Sequence, residues 1–149
     1  MSAVDRVVAA LARAGVDAEI REYPEGARTA QDAAAAVGCE VGQICKSLVF
    51  RVGDAPLLVI ASGSNRVDEV RFGAVKADAA FVREQTGYAI GGVPPFAHDR
   101  PMDTVVDEDL LGYDEIWAAA GTPRSVFPLT PGELVERTGG TVTRVSPAS

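Results

Sequence analysis

The sequence predicts one α+β domain, a mixed β-sheet with short helices around it. Three observations carry this. Strand and helix patterns follow one another without the strict alternation of a doubly wound parallel fold. Helix starts and stops are written by three Ser/Thr-x-x-Asp/Glu boxes and by glycines after the helical runs. And 149 residues, 47% of them hydrophobic, suit one sizeable core, with no internal repeat or linker to divide it.

In chain order, Ser2 with Asp5 caps a first helix, in which Val4, Val7, Val8 and Leu11 recur at helical spacing and which Gly15 stops. Ala18 to Tyr23 reads as a short strand and Pro24-Glu25-Gly26 as a turn. Thr29 with Asp32 opens a small-sided helix, Ala30–Val37, ended by Gly38. Ile44 to Val52 is the central strand. Gly53-Asp54-Ala55-Pro56 turns the chain into Leu57–Ala61, apolar on both faces and so buried, in a hairpin whose turn is not of the tight Asn-Gly kind. Short helices follow at about Val67–Phe72 and Ala79–Gln85, then strands at Asp103–Val106, Glu115–Ala119 and Ser125–Leu129. Thr130 with Glu133, and Pro131 at the first helical position, start a last helix. Gly139-Gly140 leads to a final strand, Thr141–Val145.

The central strand carries one residue foreign to a plain core. Side chains alternate along a strand. Ile44, Lys46, Leu48, Phe50 and Val52 therefore share a face, and Cys45, Ser47, Val49 and Arg51 the other. An ammonium among Ile, Leu and Phe is expensive to desolvate unless it is paired or opens onto a wet pocket; the alternative is that Lys46 snorkels out at the strand end. A second unusual stretch, Gly91-Gly92-Val93-Pro94-Pro95, joins two glycines that allow close backbone approach to two prolines that stiffen the exit. Such a loop can hold amide donors around a carbonyl or a developing oxyanion, or it is simply a rigid connection.

Several chemistries are excluded or weakened. The formal net charge of −7 argues against broad binding to a nucleic-acid backbone, though not against a small basic site touching a few phosphates. One histidine, His98, and two cysteines, Cys39 and Cys45, provide no metal quartet and no disulfide framework. Cys45 reads as a buried, inert thiol. Ser47, Ser62 and Ser64 lack triad spacing. Asp107-Glu108-Asp109 reads as a solvated helix start. There is no Walker loop, dinucleotide fingerprint, signal peptide or membrane-spanning run, and a cytoplasmic location is expected.

Cys45-Lys46-Ser47-Leu48-Val49-Phe50, Thr86-Gly87-Tyr88, Gly91-Gly92-Val93-Pro94-Pro95, Gly121 and Leu129-Thr130-Pro131-Gly132-Glu133-Leu134 together resemble the YbaK family, deacylases related to the editing domain inserted in bacterial prolyl-tRNA synthetases. The resemblance covers nearly the whole chain, 1–149, as a single YbaK-like domain without a synthetase core. It implies a mostly antiparallel, barrel-like core and a freestanding, metal-independent hydrolase, with no cofactor, acting on the ester of mischarged tRNA. The expected substrate is tRNA(Pro) carrying a small wrong amino acid. The partners implied are the tRNA acceptor end and, transiently, a prolyl-tRNA synthetase, with no DNA or membrane, for a monomer or homodimer. Lys46, Gly91 and Gly92 become the catalytic candidates. Tyr23, Ser47, Val93, Pro94, Pro95, His98 and Gly121 become the substrate-binding ones. The family's chemistry draws on the terminal adenosine's own hydroxyl to activate water, so neither a triad nor a metal is needed. One departure is Val126, where members that remove cysteine often carry an acid; cysteine specificity is therefore not carried over. The alternatives are a non-catalytic module of the same fold gripping a tRNA end, a nucleotide or a partner protein, or a regulator with a repurposed pocket.

Overall fold

The computed structural model describes residues 2–15, 19–23 and 29–147. Among them are helices α1 (Ala3–Arg13), α2 (Ala30–Val37), α3 (Glu69–Phe72), α4 (Ala79–Thr86) and α5 (Pro131–Thr138). The strands are β1 (Arg21–Glu22), β2 (Ile44–Val52), β3 (Ala55–Ser62), β4 (Val75–Lys76), β5 (Asp103–Asp107), β6 (Ile116–Ala119), β7 (Ser125–Leu129) and β8 (Thr141–Thr143). All three predicted capping boxes form, at Ser2/Asp5, Thr29/Asp32 and Thr130/Glu133. Each satisfies amide donors that the first helical turn would leave bare. Ala18 of the predicted first strand and the predicted turn at 24–26 lie outside the described residues.

The strands form one mixed sheet in the order β1-β7-β6-β2-β3-β5-β8, with β4 also paired to β2. The β2–β3, β2–β4, β6–β7 and β1–β7 pairs are antiparallel; β2–β6, β3–β5 and β5–β8 are parallel. The hairpin is tighter than expected. Val52 pairs with Ala55, leaving a two-residue turn, Gly53-Asp54, with Gly53 at φ 62°. The sequence reads as a four-residue turn, Gly53-Asp54-Ala55-Pro56, and Pro56 instead enters β3. That proline is tolerated in β3 because β5 joins only from Leu57 onward, so its missing N–H is not needed there. The last strand stops at Thr143 rather than Val145, and β4, too short to show a pattern, had no counterpart in the sequence reading.

The two faces of the sheet are covered differently. One carries the main core: Cys45 and Val49 of β2, Leu58 and Ile60 of β3 and Phe127 of β7, packed with Val7 and Leu11 of α1, Val82 of α4 and Leu134 of α5. Fully burying an aliphatic or aromatic side chain contributes about 1.5–3 kcal/mol each. The other face carries two smaller clusters. Tyr23, Ala33, Ala34, Ile44, Trp117 and Val126 form one; Phe50, Val59, Ala61, Val67, Ala74 and Val145 form the other. Lys46 stands on this second face between Ile44 of the first cluster and Leu48 and Phe50 of the second.

Candidate functional site

The site begins with a gap in strand pairing. On the side away from β3, β2 is registered with β6 only through Ile44 and Cys45, and with β4 only through Phe50 and Arg51. Among the described residues, Lys46 to Val49 have no strand partner on that edge. β6 and β4 diverge there, and a cavity of about 870 Å³ opens between them. Its lining includes Lys46, Ser47, Leu48 and Val49 along the free edge, Gly91 and Val93 from the glycine-proline loop, and Tyr23, Trp117 and Val126 as an apolar wall.

Lys46 is half-buried. Its Nζ donates to the main-chain carbonyl of Asn65 at 2.6 Å. Burial lowers its pKa from the ordinary lysine value, and the nearby negative charge of Asp107 partly offsets this. The chain has two lysines, and the second, Lys76 of β4, also lines the cavity, as does Arg66. Asp68 and Glu69 provide carboxylates on the same rim. An acidic protein thus places both its lysines around one opening.

Two hydroxyls at the cavity, Tyr23 Oη and Ser47 Oγ, are buried without a hydrogen-bond partner among the described residues. Leaving a buried polar group unpaired costs about 1–3 kcal/mol, which makes these two hydroxyls candidate partners for the polar atoms of a ligand. Burial, with a smaller contribution from Cys39, pushes the Tyr23 phenol up to about 12, so it acts as a donor rather than as a base.

The glycine-proline loop is held close to the Gly121-Thr122-Pro123 turn that joins β6 to β7. A Cβ on Gly92 would lie 2.6 Å from Thr122 Cα, so this glycine permits a contact between two backbones. Gly91 adopts φ 86°, a left-handed conformation that favours glycine. The two glycines differ in a second respect. The Gly92 N–H closes a turn onto the Ala89 carbonyl at 3.0 Å. It is therefore not free to hold a substrate carbonyl, as the sequence reading had it, and the loop's contribution at the cavity comes from Gly91 and Val93.

Of the expected site residues, Tyr23, Lys46, Ser47, Gly91 and Val93 come together around the cavity. Gly92, Pro94 and Pro95 are buried behind it. Gly121 sits against α1, where a Cβ would meet Ala3 O at 2.7 Å. His98 faces away, lining a separate cavity of about 250 Å³ with Arg6, Arg13 and Tyr88. Its Nε2 lies 2.6 Å from the Pro94 carbonyl. A carbonyl only accepts, so Nε2 carries the proton. Burial lowers the His98 pKa from its ordinary value, partly offset by that hydrogen bond and by Asp99. Around it, Tyr88 Oη donates to Ala97 O at 3.0 Å, and Arg6 bridges the Gly87 carbonyl and Asp99.

Asp107 departs from the solvated position its sequence context predicts. Its side chain is 0% exposed and accepts from Ser62 N at 2.9 Å, Asn65 Nδ2 at 2.8 Å and Asp109 N at 3.0 Å. It is a buried cap, not a solvated helix start, because its partners reach it from β3 and the following loop. Cys45 is buried, and burial raises its thiol pKa, as a core cysteine requires. Among the described residues, no three His, Cys, Asp or Glu side chains gather as a metal site, and no helix is long and apolar enough to cross a membrane.

These features define a class: a single mixed-sheet domain whose cavity joins a lysine, an interrupted strand edge and a glycine-rich loop. Residues 24–136 match the aminoacyl-tRNA editing domain family, and the chain belongs to it. It is 33% identical over 125 residues to the uncharacterized protein YwhH of Bacillus subtilis (strain 168), covering 79% of this chain and 80% of that one. Among solved structures, a protein proposed to be a trans-editing enzyme for prolyl-tRNA synthetase superposes with a TM-score of 0.92 at 45% identity, covering 99% of each chain. The hypothetical protein APE2540 superposes with a TM-score of 0.85 at 30% identity, over 95% of this chain and 99% of that one.

Proposed function

We propose that this protein is a trans-editing aminoacyl-tRNA deacylase, a cytoplasmic hydrolase that cleaves the ester of a mischarged tRNA. The reading names tRNA(Pro) carrying a small wrong amino acid as the substrate. The observation that carries it is the meeting, in one cavity, of Lys46, the free edge of β2 and the Gly91–Val93 segment. The volume supports it. About 870 Å³ lies toward the upper end of the range of roughly 300–1,000 Å³ found for small-molecule sites. That exceeds the needs of a small amino acid and suits a terminal nucleoside with its aminoacyl group.

In this reading the Lys46 ammonium grips the phosphate or adenosine end of the acceptor. The Gly91 and Val93 main chain receives the ester carbonyl as it becomes an oxyanion. Water adds to the carbonyl carbon, the bond to the ribose oxygen breaks, and that oxygen leaves with a proton as the free tRNA hydroxyl. An aminoacyl ester is already activated, so positioning supplies most of what is needed. Tyr23, Trp117 and Val126 form an apolar wall that favours a small side chain. One methylene discriminates by only about 1–3 kcal/mol, so the wall selects by size class rather than by a single identity.

The test is deacylation of Ala-, Cys-, Ser- and Pro-tRNA(Pro), with Ala-tRNA(Ala) as control, by wild type and Lys46→Ala. The expected result is cleavage of at least one mischarged tRNA(Pro), loss of that activity in the variant, and no cleavage of Pro-tRNA(Pro). A folded wild type that binds these tRNAs and cleaves none would replace the enzyme by a binding module.

A further inference from the structure

We propose that Asp107 and Asn65 are positioning residues for Lys46: the buried carboxylate of Asp107 fixes Asn65, and Asn65 fixes the ammonium. The proposal rests on the assignment of Lys46 to the editing site. The chain of contacts is continuous. Asp107 Oδ2 accepts from Asn65 Nδ2 at 2.8 Å, and the main-chain oxygen of Asn65 accepts from Lys46 Nζ at 2.6 Å. Asp109 Oδ2 takes the same Asn65 amide nitrogen at 2.7 Å, and Asn65 N donates to Ser62 O at 2.9 Å. Asn65 is thus held at its side chain by two carboxylates and at its nitrogen by β3. Its main-chain carbonyl is then the group that meets Lys46.

Asp107 ties this loop to the sheet. It lies at the end of β5, next to β3, and its Oδ2 also receives Ser62 N at 2.9 Å. The loop at 63–66 has other ties, Gly63 N to Ile44 O at 2.7 Å and Ser64 Oγ to Ser62 Oγ at 3.1 Å, but Asp107 is the buried group that joins the Asn65 side chain to the sheet. A long lysine side chain has many rotamers to lose, so an ammonium aimed by a fixed acceptor differs from one that wanders through the cavity. Burying a carboxylate is expensive unless its oxygens are well bonded, and Asp107 meets that condition with three donors.

The chain's two lysines make a direct test possible. Lysine labelled with carbon-13 gives two side-chain signals, and Lys76→Arg assigns them. Lys46 is followed from about pH 7 to about pH 11 in wild type, Asp107→Asn and Asn65→Ala. Tyr23, Arg66, Asp68, Glu69 and Lys76 line the same cavity, and Asp109 stands behind Asn65. All are common to the three proteins. In Asp107→Asn the Lys46 titration midpoint should move to lower pH, because a nearby negative charge is gone while the burial remains. In both variants its two Hε resonances should collapse to one averaged signal, and deacylation should fall on the order of tenfold or more. Asn65→Ala keeps the carbonyl and the charge of Asp107 and removes only the clamp, so it decides the matter if Asp107→Asn does not fold. Lys46 signals unchanged in every variant that folds would overturn the proposal. If wild type cleaves no tRNA, the editing reading falls, and the Lys46 spectra still decide whether Asp107 and Asn65 position it.

Discussion

Adding one methyl group at Gly92 tests whether the loop and the turn behind it are as close as described. The new Cβ would lie 2.6 Å from Thr122 Cα, 2.8 Å from Thr122 C and 2.9 Å from Gly121 O. Non-bonded carbons settle at about 3.5–4.0 Å, so the two backbones must separate by roughly 1 Å. Backbone cannot rotate away as a flexible side chain can. Overpacking of this kind costs about 1–3 kcal/mol, and for a domain of this size each kcal/mol lowers Tm by about 2–4 °C. Gly92→Ala should therefore melt about 2–12 °C below wild type. A displacement of about 1 Å at the cavity should also reduce deacylation by up to about 10²-fold. Gly91 should respond to a different property. A Cβ there meets Pro123 Cγ at 3.5 Å and Cβ at 3.6 Å, ordinary contacts, but φ is 86°. Asn tolerates that region better than a β-branched residue, so Gly91→Asn should retain more stability than Gly91→Val. At Gly92, Ala and Asn should both fail. Melting curves and deacylation rates for the four variants decide it. A Gly92→Ala protein that melts and cleaves like wild type would refute the contact argument, and equal losses for Gly91→Asn and Gly91→Val would refute the dihedral one.

Three further outcomes are expected. Lys46→Met keeps the stem and removes a half-buried charge, so stability should hold or rise by up to about 1 kcal/mol while deacylation is lost; a marked fall in Tm would mean that the bond to Asn65 is a main support of the fold. His98 has a folded pKa below the unfolded value of about 6.5, so the unfolded chain binds more protons between the two. Its contribution to stability is then complete above about pH 6.5 and lost as pH falls through the lowered value; His98→Gln should flatten that part of the Tm-against-pH curve, and identical slopes would exclude the account. Burial raises both thiol pKa values, and Cys45 is the more deeply buried, so a disulfide reagent at neutral pH should titrate Cys39 slowly and Cys45 only after denaturation; rapid reaction of both would contradict the core placement.

Local signals in the sequence translate well. The Thr29/Asp32 box and Gly38 bound α2 as read, and Thr130 with Pro131 starts α5. These depend on neighbours three or four residues apart, which a sequence displays. The face carried by Lys46 was legible for the same reason, since period two runs unbroken through β2. Asp107 was not legible, because what buries it arrives from Ser62, 45 residues away, and from Asn65, 42 residues away. Nor was the gap beside Lys46–Val49, which depends on where parallel β6 leaves β2. His98 lies close in sequence to the glycine-proline loop, yet the positive φ of Ala97 accompanies a reversal that places its ring on another surface. Proximity along a loop does not determine which side of it a side chain occupies.

The interrupted edge of β2 has a further consequence. An unpaired edge on the outside of a sheet invites strands from other molecules, and proteins usually protect it with charge or proline. Here the bare segment is only four residues long, is bounded by paired residues at both ends, and lines the cavity on a strand in the middle of the sheet rather than at its rim. Its polar groups belong to the main chain, which every residue type other than proline supplies in the same form. Substitution can therefore reshape the walls at Trp117 or Val126 while the floor keeps its donors and acceptors. A lineage with this architecture can change what it admits without rebuilding what it holds with.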